Sequence, residues 1–158
     1  MISPGQTLDL SLSRAVVRGG EAKTVALSSL LRRRTLVSVY MRNNTGSCDR
    51  QIDSLVAAAA ELDRLGCDII AVSRDSAASH VKYAAKKTIP FALVSDPDDG
   101  IARAADAIVE KSMYGKTYLG PARAAFILDR KGKVLAVIER VDTKDHAAQV
   151  KACLLGLA

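Results

Sequence analysis

Residues 35–51 read TLVSVYMRNNTGSCDRQ, a short β-branched run that breaks into a polar loop and meets a cysteine at the entrance to a helix. Thr35–Tyr40 has the composition of a strand, and Met41–Ser47 is loop. Beyond it, apolar residues at Ile52, Leu55, Val56, Ala59, Leu62 and Leu65 recur at helical spacing until Gly66 stops the pattern. The same strand-to-helix rhythm returns at once: Cys67–Ser73, CDIIAVS, predicts a buried strand, and Ser76–Lys87 a helix with Val81, Ala84 and Ala85 facing inward. Pro90 then separates that helix from a third strand, FALVS.

Upstream, the short apolar stretches of Thr7–Leu27 are broken by Arg18-Gly19-Gly20-Glu21, which predicts a hairpin followed by a helical turn around Ser28–Arg33. Downstream, Asp96-Pro97-Asp98-Asp99-Gly100 is turn chemistry leading into an alanine-rich helix that reaches about Ile108. Ala124–Leu128 and Val134–Val141 predict strands joined by the loop Asp129-Arg130-Lys131-Gly132. Lys144–Leu155 closes the chain as a helix with Ala147, Val150, Leu154 and Leu157 on one stripe. Together these elements predict an α/β fold in which a mixed central sheet carries helices on both faces. With no repeat, low-complexity segment or linker, residues 1–158 are expected to form one domain.

Nearly half of the 158 residues are apolar, enough for a substantial core without disulfide or metal staples. The net charge of +6 comes from Lys and Arg spread through the chain, and its one dense run, Arg32-Arg33-Arg34, reads as a solvated turn. With two Phe, four Tyr and no Trp there is no aromatic platform on which bases would stack, so nucleic acid is not an expected partner. No segment approaches the roughly 18 consecutive apolar residues of a membrane span, and no secretory pattern opens the chain, so membrane association is not expected and the location is expected to be cytoplasmic. Three cysteines, Cys48, Cys67 and Cys153, are neither a disulfide framework nor a zinc ligand set.

Cys48 follows a strand end, precedes a helical stripe and is flanked by Asn43, Asn44, Thr45, Gly46, Ser47, Asp49 and Arg50, a setting too polar to suggest burial. Near the first turn of a helix, unpaired N–H groups and the positive end of the macrodipole favour a thiolate, the nucleophilic form. Thr45 can present a hydroxyl to the same site. A cation is also needed, and Arg50 in the first turn and Arg123 at the head of RAAFILD are both candidates.

Taken in order, PGQTLDLSL, VYMRNNTGSC, GCDIIAVSRDSAASHVKYAAKK, IPFALVSDPDDGIARA and EKSMYGKTYLGPARAAFILDRKGKV resemble the peroxiredoxins, specifically the bacterioferritin comigratory protein or peroxiredoxin Q group. The resemblance implies a thioredoxin-like fold and reduction of hydrogen peroxide and organic hydroperoxides without metal or organic cofactor. Position by position it makes Cys48 the peroxidatic cysteine, Thr45 the active-site threonine, and Arg123, rather than Arg50, the arginine that contacts thiolate and peroxide. A monomer or weak dimer is implied.

This sequence departs from the family pattern at several points. Met41 stands where a proline usually shields the site, Thr45-Gly46-Ser47-Cys48-Asp49 replaces Thr-Pro-Gly-Cys-Thr, and Gln51 replaces a glutamate. Asp49 is expected to oppose the helix dipole at the sulfur and raise the thiol pKa. Neither usual resolving position holds a cysteine: one is Asp53, and SHVKYAAKK has none. Cys67 and Cys153 are alternative resolving candidates, though each reads more simply as core packing. The favoured expectation is a one-cysteine mechanism with thioredoxin, glutaredoxin or glutathione as external reductant. The competing reading is a non-enzymatic redox-sensing or interaction module with a degenerate loop. His80 and His146 fall on predicted helices without a second metal-type ligand and are expected to be solvated or capping; no metal site is expected.

Overall fold

Alternation along each strand divides the core in two. In β3 (Thr35–Val39), Leu36 faces one cluster while Val37 and Val39 face the other, and the same parity holds for Ile69 and Ala71 against Ile70 and Val72 in β4 (Asp68–Ser73). The computed structural model describes residues 1–157. Its seven-stranded sheet has the order β2-β1-β5-β4-β3-β8-β9. The centre is parallel, with β4 between β3 and β5 (Ala92–Ser95), because α1 (Gly46–Arg64) and α2 (Ala77–Lys87) supply the crossovers. The margins are antiparallel: β1 (Ser13–Arg18) with β2 (Glu21–Ala26), and β8 (Ala125–Leu128) with β9 (Val134–Ile138).

One face of the sheet carries α1, α2 and α4 (His146–Gly156), packed through Ile52, Leu55, Leu62, Tyr83, Val150 and Leu154. The other is covered by the N-terminal segment, a 3-10 turn at Leu27–Leu30, and the five-residue α3 (Gly100–Ala104). Ile52, Leu55 and Leu62 lose all solvent contact, and at about 1.5–3 kcal/mol per buried side chain they fix α1 along its length and so fix its first turn.

Three sequence expectations need correction. The alanine-rich helix ends at Ala104, not near Ile108, because Asp106 takes a left-handed φ of 51° and the chain turns out of the helix. Residues 108–121, where the sequence pattern predicts no strand, form a hairpin of β6 (Ile108–Met113) and β7 (Lys116–Pro121). Its central pair, Tyr114 and Gly115, has φ of 52° and 75°, the two positive values that a type I′ turn demands. His80 and His146, expected to be solvated or capping, are fully buried.

Candidate active site

The loop between β3 and α1 is held from beneath by Asn43, which is buried. Its Oδ1 accepts from the Tyr40 hydroxyl at 2.6 Å, its backbone N–H donates to Asp75 Oδ2 at 2.9 Å, and its Nδ2 lies 3.1 Å from His80 Nδ1. Asn44 next to it takes a left-handed φ of 62°, which turns the chain into the helix. Thr45 occupies the N-cap, yet its hydroxyl does not cap the helix. Instead Oγ1 donates to the Arg42 carbonyl at 2.9 Å, and the Cys48 sulfur is a second acceptor for its single proton when ionised.

Cys48 lies in the first turn of α1, as its sequence position suggests, but it is buried, only 1% exposed, contrary to what its polar neighbours imply. Tertiary packing supplies an apolar setting that the local sequence does not contain. Arg123, from the segment between β7 and β8, reaches over this turn: its Nη1 is 3.4 Å from Cys48 Sγ and 2.7 Å from Gln51 Oε1, and its Nη2 is 3.2 Å from Ser47 Oγ. Burial opposes ionisation of the thiol. The Thr45 hydroxyl, the backbone of Arg42, the Arg123 guanidinium and the backbone of Met41 together outweigh it, so the thiol sits below its ordinary value. Asp49 does not reverse this direction. Its Oδ1 accepts a 2.6 Å hydrogen bond from Tyr83 on α2, an engagement that its position beside the cysteine gives no hint of.

Met41 is half-buried, and Lys111 of β6 places its ammonium 2.7 Å from the Met41 sulfur. Burial, then the charges of Arg123 and Arg74, push the Lys111 pKa down. An open cleft of about 390 Å³ lies here, lined by Met41, Arg42, Arg74, Lys111, Tyr118 and Pro121 among others. Arg50, the other cation considered, is exposed.

Cys67 and Cys153 lie elsewhere. Cys67 folds back beside Leu62, whose carbonyl accepts from its N–H at 3.0 Å, and Leu62 stands about 21 Å along α1 from Cys48 at roughly 1.5 Å per residue, far beyond the roughly 7 Å that a disulfide allows between Cα atoms. α4 follows α1 in the same direction, since Ala147 N donates to Ser54 Oγ and Lys151 pairs with Glu61. That course carries Cys153 towards the far end of α1 as well. Burial pushes the Cys67 thiol up to about 11 and raises that of Cys153 too. Among the described residues no cluster of three or more His, Cys, Asp or Glu side chains is placed to hold a metal ion.

Comparison with known proteins identifies the family and the fold. The AhpC/TSA family profile matches residues 6–137. Peroxiredoxin Bcp of Xanthomonas campestris is 37% identical over 151 residues, covering 96% of this chain and 91% of its own length. The solved structure of bacterioferritin comigratory protein from the same organism, a protein with alkyl peroxide reduction activity, superposes with a TM-score of 0.84 at 32% identity, covering 94% of this chain and 92% of that one. Peroxidoxin BcpB of Mycobacterium tuberculosis, 21% identical, shares the fold with a TM-score of 0.83 over 100% of this chain and 99% of its own. The chain belongs to the AhpC/TSA family and, within it, to the Bcp or Q group of peroxiredoxins.

Proposed function

We propose that the protein reduces hydrogen peroxide and organic hydroperoxides through Cys48, using a thiol supplied from outside the chain. The observation that carries this reading is the 3.4 Å approach of Arg123 Nη1 to a helix-terminal sulfur whose pKa is lowered. The Cys48 thiolate attacks the distal peroxide oxygen and the O–O bond breaks. The departing alkoxide or hydroxide takes a proton, and the sulfur is left as a sulfenic acid. Arg123 favours the thiolate and stabilises charge developing on the peroxide oxygens, while the Thr45 hydroxyl orients the peroxide.

An external thiol then condenses with the sulfenic acid, releasing water and leaving a mixed disulfide, which a second thiol resolves. The placement of Cys67 and Cys153 at the other end of α1 supports this one-cysteine route. Thioredoxin, glutaredoxin or glutathione would serve as reductant, and residues 1–158 would act as one domain, as a monomer or weak dimer. No helix of the described residues is long and apolar enough to cross a membrane. The three free cysteines favour a reducing, cytoplasmic setting.

Stopped-flow consumption of peroxide with reductant present tests the proposal. Turnover is expected for the wild type and is lost in Cys48→Ser; a wild-type rate no better than that of free cysteine overturns it in favour of a redox-sensing role. Mass spectrometry after one equivalent of peroxide separates the routes: an intramolecular disulfide of Cys48 with Cys67 or Cys153 would exclude the one-cysteine mechanism.

A further inference from the structure

Behind Arg123 a buried chain of hydrogen bonds runs from α1, by way of Ser38 on β3, to α4 on the same face of the sheet. Gln51 Oε1 accepts from Arg123 Nη1 at 2.7 Å, and Gln51 Nε2 donates to Ser38 Oγ at 2.9 Å. Ser38 Oγ lies 2.9 Å from His146 Nε2, and His146 Nδ1 lies 3.2 Å from Gln149 Oε1. Ser38, Gln51 and His146 are each 0% exposed.

Both ends of the chain fix its direction. Arg123 can only donate, so it must face the carbonyl of Gln51 and not its amine. At the other end, Gln149 Oε1 accepts from the backbone N–H of Asp142 at 3.0 Å, and Gln149 Nε2 donates to the Arg140 carbonyl at 3.0 Å. His146 must therefore carry its proton on Nδ1 and accept the Ser38 proton at Nε2. Ser38 in turn has its oxygen free for the Gln51 N–H. Every donor then meets an acceptor, the second Gln51 N–H donating to the Val39 carbonyl at 3.3 Å. Reversing any member leaves a buried group unpaired.

We propose that Ser38, His146 and Gln149, from the α4 side of the same sheet face, set the orientation of the Gln51 amide that holds Arg123 at the Cys48 sulfur. The inference rests on the peroxidatic reading of Cys48 and Arg123. It assigns a use to the neutral amide at position 51: a glutamate there would accept from Arg123 but could give Ser38 no N–H. A neutral partner also leaves the full guanidinium charge for the sulfur and the peroxide.

Two measurements test it. Ser38→Ala and His146→Leu are each expected to lower the second-order rate constant for hydrogen peroxide about tenfold, the scale of loss when a reacting group is left imperfectly held. Neither should lower it further in an Arg123→Gln background, because both act through the arginine. Equal losses in the two backgrounds, or none in either, would overturn the proposal.

The second measurement is the tautomer of His146, read by nitrogen-15 NMR on the folded proteins and independent of turnover. The wild type is expected to show Nδ1–H. In Gln51→Glu, Ser38 must give its proton to the carboxylate, so His146 is expected to become protonated at Nε2. Retention of the wild-type tautomer with Nε2 bare in Gln51→Glu would overturn the relay. If the wild type consumed no peroxide, the peroxidase reading would fall while this spectrum still decided the relay.

Discussion

Tyr83 donates its hydroxyl to Asp49 at 2.6 Å, so the carboxylate next in sequence to the reactive thiol is engaged by α2. This explains how a negative charge can stand beside Cys48 while the thiol remains below its ordinary pKa. A hydrogen bond to a carboxylate spreads part of its charge and restricts where it points. In Tyr83→Phe the carboxylate is free to turn towards the sulfur. The Cys48 pKa is expected to rise, and the peroxide rate on the acid side of the thiol's titration to fall about threefold. Thiolate absorbance followed against pH checks the first, and stopped-flow rates check the second. An unchanged titration in Tyr83→Phe would mean that Asp49 is not felt at the sulfur.

Arg123 makes three contacts from one planar group, to Cys48, Gln51 and Ser47. A lysine keeps the charge but cannot span those acceptors, and its ammonium would be drawn to the Gln51 carbonyl. Arg123→Lys is therefore expected to lower the second-order rate with peroxide by roughly 10²-fold, close to the loss of an anion-stabilising donor in other enzymes. Thiol alkylation at a pH where Cys48 is fully ionised should change far less. A rate with peroxide within a few-fold of wild type would remove Arg123 from the chemistry.

The parallel core was legible in the sequence because β3, β4 and β5 are buried on both faces, so their apolar runs carry the signal without help from context. The position of Cys48 at the head of α1 was legible for a related reason, since the periodicity of Ile52, Leu55 and Leu62 dates the helix start. What escaped reading depends on distance along the chain. β6 is exposed or half-buried throughout, β7 is buried only at its last two residues, and so neither shows alternation. Asn43, Tyr40 and His80 form their cluster across loop, strand and helix, and Ser38 meets His146 over a separation of 108 residues. A local window contains none of these partners, which is why the histidines read as surface groups and Cys48 as unburied.

Because Cys67 and Cys153 lie towards the far end of α1, both are expected to be dispensable for turnover. The double variant Cys67→Ala, Cys153→Ser is expected to keep the peroxide rate within about twofold of wild type, because neither thiol is ionised near neutral pH and neither lies beside Cys48. Steady-state turnover with an excess of low-molecular-weight thiol provides the measurement. Loss of turnover with an intact first oxidation step would assign one of them to resolution.

Two buried histidines are expected to contribute to the acid sensitivity of the fold. Burial lowers the pKa of His80, with Asp75 acting against it, and burial together with the Arg123 charge lowers that of His146, with Gln149 acting against it. A histidine with a depressed folded-state pKa is neutral in the native protein and takes up its proton on unfolding. Between the folded value and the unfolded value near 6.5 the unfolded chain binds more protons, so stability rises with pH in that window. Their contribution is complete above about pH 6.5 and is lost as pH falls towards the folded values. Urea midpoints are therefore expected to drop below pH 6, and His146→Gln should lessen the drop even where it lowers stability at pH 7.5, while the lowered Cys48 pKa adds its own rise of stability with pH at higher pH. A midpoint that falls equally steeply in wild type and His146→Gln would place the acid sensitivity in other groups.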